Sequence, residues 1–370
     1  MKTLKTCLKQ ILLISPEPWS GNFVSKHHYA ITLASMGHRV YFLNPPDNSL
    51  SKLKIDNTKY KNLYSITAPQ LLKGLRFIPK IISIYIENRW LEKLEKHIGS
   101  KFTTIWLFEN SRFYNMQFAK DRLKIYHQVD SNQNFHLKEA SSSADICFCV
   151  TDYILEDLLN YNKKVFKISH GVNLAIKPLP LTKEEKNRFN NSINVTYIGN
   201  LDMLYIDEDI LFKITKRYSN ITFHFIGNYS LDGKLYQICK NSKNIIWWGR
   251  IDSTLIPSIL KQIDICLLTY RAEKYKKQLA SPHKILEYLY SGKVIVATYT
   301  DEYKDRRELL EMVDNSQEYL NKFESIVDNL DFYNSVEKQQ VRIDFAKNNS
   351  YEKQLEEIFF LIQENYLKEI

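Results

Sequence analysis

The stretch LASPHKILEYLYSGKVIVAT (279–298) sets His283, Lys284 and Glu287 at helical spacing. Positions three and four apart share one face of a helix, so these side chains point the same way. Ser281 is a good N-cap, Pro282 a good first helical residue, and Gly292 a left-handed stop. Two basic residues at the positive end of a helix dipole call for an anion beside them. The free N–H groups of that turn suit a phosphate, and Lys284 then becomes its partner. Glu287 lies about one turn on, roughly 5 Å along the axis. That offset separates a diphosphate from the ribose of the same nucleotide, whose two hydroxyls a carboxylate accepts. The face fits a nucleoside diphosphate. The same spacing also describes an ordinary surface helix with a Lys–Glu pair worth roughly 0.2–0.5 kcal/mol.

Other phosphate candidates stand at the ends of apolar runs. Gly199 and Asn200 follow NVTYI and let the backbone approach a phosphate closely. Arg250 follows NIIWWG. The loop YRAEKYKKQLAS (270–281) carries Arg271, Lys274, Lys276 and Lys277, and reads equally well as a solvated surface loop. Asp130 ends IYHQVD, where a carboxylate serves either as general base or as turn former. His170 and Glu109 rank behind it. WSGN (19–22) offers Trp19 to stack on a sugar ring, with Gly21 and Asn22 beside it. His27 and His28 open the next helix, where they face either an acceptor or, as helix-start histidines usually do, solvent. No Asp-x-Asp motif stands in a suitable loop, so a metal-independent reaction is expected, with no cofactor.

These residues need strands and helices to carry them. QILLIS (10–15), a helix from about His27 to Met36, Gly37 and HRVYFLN make a βαβ unit, and so a parallel sheet. TTIWLFE (103–109), KIYHQV (124–129), DICFCVT (145–151) and KVFKIS (164–169) extend it. A proline-containing charged stretch, 176–191, reads as a linker between a first domain (1–175) and a second (192–347). There the alternation restarts: NVTYIGN, a helix near 206–217, ITFHFIGN, NIIWWGR, a helix at 254–262, DICLLTY, the opening helix and VIVAT. Residues 348–370 form a closing amphipathic helix.

At 370 residues the chain suits two domains, and 44% apolar content excludes wholesale disorder. The net charge of +9 favours an anionic partner. Nucleic acid is disfavoured, for the chain has no zinc-ligand spacing, no RNA-recognition signature and no long basic block. Five cysteines, an odd count, read as reduced thiols of a cytoplasmic protein. ILLIS is too short for a signal-peptide core, and no run reaches the roughly 20 apolar residues of a membrane span. Residues 71–97 mix bulky apolar and cationic side chains, as does an amphipathic helix on anionic lipid or an ordinary core helix.

The pattern S-P-x-K-x-x-E-Y-x-x-S-G-K-x-x-V-A-T resembles the nucleotide-sugar motif of GT-B glycosyltransferases, especially family 4-like enzymes of bacterial surface-polysaccharide synthesis. IYHQVD, SADICFCVTDYILEDL (143–158) and HGVN (170–173) resemble the end of their acceptor domain. YIGNLD (197–202) resembles the start of their donor domain, and AKNNSYEKQLEEI (346–358) their closing helix. The resemblance implies an α/β GT-B fold: two Rossmann-like doubly wound domains facing across a cleft, with the last helix crossing back to the first domain. It implies a cytoplasmic hexosyltransferase-type enzyme, at the inner face of the plasma membrane. The sugar passes from a nucleotide-sugar, UDP by family habit, to a growing lipid-linked glycan. Glu287 then holds the ribose, the Ser281–Lys284 turn lies by the diphosphate, and Asp130 is the base. The family's second glutamate, eight positions before Glu287, is Leu279 here, with Gln278 beside it; the donor-sugar contact and the anomeric outcome stay open. The alternatives are an epimerase or phosphorylase of the same fold, or a nucleotide-sugar-binding protein without turnover.

Overall fold

A computed structural model describes residues 9–21, 23–72, 74–130, 135–174, 177–189, 192–275 and 284–367. The chain divides into two compact units, Met1–Ser169 with Tyr351–Ile370, and His170–Ser350.

The first unit is built on an eight-stranded sheet of order β3-β4-β2-β1-β5-β6-β7-β8. Its strands are β1 (Gln10–Ile14), β2 (Arg39–Leu43), β3 (Lys54–Asn57), β4 (Leu63–Thr67), β5 (Thr104–Leu107), β6 (Leu123–Gln128), β7 (Ile146–Cys149) and β8 (Val165–Lys167). All neighbours pair in parallel except β3, antiparallel to β4. Continuous apolar runs such as QILLI and TIWL are buried along their length, because helices cover both faces of a parallel sheet. The helices are α1 (Ser25–Ser35), α2 (Lys80–Ile98), α3 (Leu137–Ser143) and α4 (Asp152–Leu159). β3 and β4 are an addition to the sequence reading. KIDN has a single apolar residue and sits at the sheet edge, so no apolar run marks it.

The second unit carries a six-stranded parallel sheet of order β11-β10-β9-β12-β13-β14. Its strands are β9 (Asn194–Ile198), β10 (Thr222–Ile226), β11 (Ile245–Gly249), β12 (Ile265–Leu268), β13 (Val294–Thr298) and β14 (Glu311–Val313). This is the doubly wound order in which the winding reverses between β9 and β12, and ligands bind at that reversal. Its helices are α5 (Lys183–Lys186), α6 (Glu208–Arg217), α7 (Lys234–Cys239), α8 (Ile256–Leu260), α9 (Lys284–Ser291), α10 (Ser316–Asp328), α11 (Leu330–Tyr333) and α12 (Val336–Asn348). The stretch before β9 is tied to this unit: the Leu179 N–H donates to Thr254 O at 3.0 Å, and Ser258 Oγ to Leu179 O at 2.6 Å.

The last helix, α13 (Tyr351–Ile362), belongs to the first unit, as the resemblance implies. Tyr351, Leu355, Ile358 and Ile362 recur at helical spacing and join the buried cluster of Tyr29, Ile31 and Trp106. Cys147, Cys149, Cys239 and Cys266 are buried free thiols.

Candidate functional site

Three strands of the second unit end in glycine turns that lace together. Gly199 N–H donates to Ile226 O at 2.9 Å, Leu201 N–H to Asn228 O at 2.8 Å, and Gly227 N–H to Gly249 O at 2.9 Å. A Cβ on Gly227 would stand 1.8 Å from the Gly199 oxygen, at a φ of +135°. No side chain fits there, so the turns after β9 and β10 touch backbone to backbone. The sequence signal is the repeated IGN of YIGN and FIGN.

α9 is the crossover from β12 to β13, and its first turn therefore stands at the reversal of the winding. Ile285, Leu286, Tyr288 and Leu289 are buried, so the apolar face packs inward as read from the sequence. The Tyr288 hydroxyl accepts the Ile198 N–H at 2.8 Å, fastening the helix to the end of β9 just before Gly199. At its other end, Gly292 takes φ +77° and its carbonyl accepts from the buried Arg342 at 3.0 Å. Anchored at Tyr288 and at Gly292, the helix fixes the position of Glu287. Its two carboxylate oxygens accept from Lys284 Nζ at 3.0 and 3.3 Å. Such a partly buried i, i+3 pair is worth little, so either ion exchanges it for another partner at small cost. Ser281, Pro282 and His283 lie outside the described residues, as do Lys276 and Lys277.

The strand-end cations divide. Arg250 is exposed directly beyond Gly249, and Asn200 is exposed with its Oδ1 accepting the Asp202 N–H at 3.1 Å. The Arg271 guanidinium pairs with Glu208 at the start of α6, and the Arg271 N–H donates to Tyr205 O at 2.8 Å. The pair fastens the β12 loop to α6 and leaves Arg271 a third exposed. Arg271 lines a recess of about 360 Å³ with Lys274, Asp207 and Thr298.

In the first unit, His27 does not face an acceptor. It is fully buried, its ring stacked on Phe23 and tilted against Phe42. Its Nδ1 accepts the Val24 N–H at 3.2 Å, which assigns the proton to Nε2, 3.1 Å from the Pro18 carbonyl. Burial lowers its pKa. Trp19 packs its ring on Phe23, His27, Phe42 and Tyr60, and Gly21 N–H closes a turn on Pro18 O at 3.0 Å. These residues knot the loop after β1, a structural duty that Phe42 on the neighbouring strand β2 decides and local spacing does not show. Asn22 lies outside the described residues.

Asp130 stands two residues beyond β6, exposed, its backbone carbonyl accepting Gln128 Nε2 at 3.1 Å. Glu109 is buried and paired with Arg112, whose Nη2 donates to Ser15 O at 2.8 Å. Burial raises the Glu109 pKa against the pull of Arg112. That pair pins the end of β1. His170 is half-buried at the start of the second unit. Among the described residues, no three His, Cys, Asp or Glu side chains converge as metal ligands.

Residues 193–329 match a family model described as "Glycosyl transferases group 1". The putative teichuronic acid biosynthesis glycosyltransferase TuaH of Bacillus subtilis is 27% identical over 168 residues, 42% of this chain and 40% of that protein. The match thus spans about two-fifths of the relative's length. Among solved structures, sucrose-phosphate synthase of Thermosynechococcus elongatus superposes at TM-score 0.70 and 12% identity, over 97% of this chain and 100% of that one. Anabaena Alr3699/HepE in complex with UDP-glucose gives 0.69 at 13% identity, over 96% and 99%. WaaG, a glycosyltransferase of lipopolysaccharide biosynthesis, gives 0.61 at 12%, over 95% and 99%. At such identities these structures establish the fold. Residues 193–329 are a glycosyl transferases group 1 domain, and the chain has the GT-B fold.

Proposed function

We propose that this chain is a glycosyltransferase that moves a sugar from a UDP-sugar to a lipid-linked surface glycan at the cytoplasmic face of the membrane. The observation that carries the reading is the Lys284–Glu287 pair on a helix fastened by Tyr288 to β9, at the reversal of a doubly wound sheet. Glu287 takes the ribose hydroxyls. Lys284, Arg250 and the backbone at Gly199 take the diphosphate, whose charge grows as it leaves. Charge is stabilised here by side chains and N–H groups, without a resident metal. The sugar's bond to the diphosphate breaks, the acceptor oxygen bonds to the same carbon, and Asp130 receives the acceptor's proton. The relative named for teichuronic acid biosynthesis and the neighbour holding UDP-glucose support the donor and acceptor classes.

Membrane contact is assigned to α2 and the turn before it. Phe77, Ile81 and Tyr85, four residues apart, are all exposed, with Ile82 and Lys80 alongside. No helix among the described residues is long and apolar enough to cross a membrane. Incubation with a panel of radiolabelled UDP-sugars and a lipid extract tests the function. Label entering a lipid-extractable glycan supports it. A sugar of changed configuration, or bound UDP-sugar without product, would replace it with an epimerase or a binding protein.

A further inference from the structure

The carboxyl ends of β1, β2, β4 and β5 enclose a cavity of about 600 Å³ within the first unit. Its walls are mostly apolar, with Pro16, Leu43, Leu71, Trp90 and Phe113 among them. Among its described lining residues, the ionisable acids and cations are Glu87, Glu109 and Arg112. Glu109 and Arg112 form an ion pair and cancel. Glu87, on α2, is buried, and burial pushes its carboxyl up to about 8, against a hydrogen bond from the Phe113 N–H. It therefore keeps its proton at pH 7, and the described lining carries no net charge, on a chain of net charge +9.

Among the described lining residues, Gln70 and Tyr114 are the polar side chains besides the acids, Arg112 and two serines. The Ser83 hydroxyl already donates to Lys80 O at 2.9 Å, and that of Ser111 to Glu109 at 2.8 Å. A sugar ring needs several convergent polar groups, and an anionic headgroup needs a free cation. Leu72 and Phe77 line the cavity and are 45% and 79% exposed, so it opens beside them. They adjoin the exposed Ile81, Ile82 and Tyr85 of α2.

The geometry points to this cavity as the seat of the apolar chain of an amphiphilic acceptor, which enters past Leu72 and Phe77 from the exposed face of α2. This rests on the acceptor half of the function proposed above and gives it a location. An uncharged chain asks nothing of the engaged hydroxyls, and its burial against Leu71, Trp90 and Phe113 supplies the affinity.

The test uses the full chain and two probes, dodecyl maltoside below its micelle concentration and maltose, its headgroup alone. Two variants accompany wild type. Ser83→Trp fills the cavity from α2 without removing an apolar contact. Phe77→Asp sets a charge at the mouth on an exposed position where folding is unaffected. Wild type binds dodecyl maltoside and not maltose. Each variant binds it at least about ten-fold more weakly, the worth of two or so buried methylenes, with unchanged UDP affinity. Equal binding of maltose, no binding of dodecyl maltoside, or full binding by Phe77→Asp overturns the assignment. UDP affinity separates the two claims: loss of amphiphile binding with UDP bound refutes the cavity alone, and absent UDP binding refutes the transferase reading alone.

Discussion

Replacing Glu87 by Gln should stabilise the protein at neutral pH and remove one component of its pH dependence. Glu87 is 4% exposed, and its carboxyl rises from 4.5 to about 8 because burial disfavours the charge. The folded chain therefore keeps a proton that the unfolded chain releases above 4.5. Stability falls as pH rises from about 4.5, by about 1.4 kcal/mol per unit, and levels off above about 8. At pH 7 the distance above 4.5 is 2.5 units, which makes the penalty about 3 kcal/mol. Gln keeps the shape and an oxygen to accept the Phe113 N–H, but never ionises. Urea midpoints of both proteins between pH 4.5 and 8 read the effect, and the difference between them cancels every other titrating group. The two curves should meet near pH 4.5 and separate by about 3 kcal/mol at pH 7. Parallel curves would refute the reasoning, since they would leave Glu87 ionised or unburied.

Two further outcomes follow from the proposed roles. Asp130→Asn should lower kcat about 10²–10⁴-fold, with UDP affinity and melting unchanged because the side chain is exposed; an early-melting variant with normal turnover makes Asp130 structural. Vesicle co-sedimentation should favour anionic over neutral lipid and weaken with salt, and Ile81→Ser should reduce it; equal partitioning to both lipids sinks the electrostatic part.

What the sequence disclosed follows from range. The inner strands other than β4 were legible because a strand buried on both faces is largely apolar, and the edge strands β8 and β11 because short apolar runs stand between turn signals. Gly292 and the inward face of α9 were legible because turn and period are local matters. The charge of Arg271 was not, because Glu208, its partner, lies far off in the chain and is brought to it by the β12 loop. The burial of His27 is hidden for the same reason: Phe42, from the neighbouring strand, closes over its ring. Tyr288 reads as one more apolar residue on a helix face, and only the parallel register places the Ile198 N–H under its hydroxyl. Glu87 sits in an amphipathic stretch where a carboxylate looks solvated, yet the loop carrying Phe113 covers it.

The central claim is that α9 presents Glu287 and Lys284 to a nucleoside diphosphate. Titration calorimetry of UDP against wild type and Glu287→Ala tests it most directly, with Glu287→Gln as the conservative control. In the proposed role Glu287 accepts charge-assisted hydrogen bonds from the ribose hydroxyls, so the alanine variant should bind about 1.5–3 kcal/mol more weakly. The glutamine variant should fall between, and all three should melt alike because the Lys284 pair contributes little. UDP bound equally by wild type and Glu287→Ala, or bound by neither, would contradict the account.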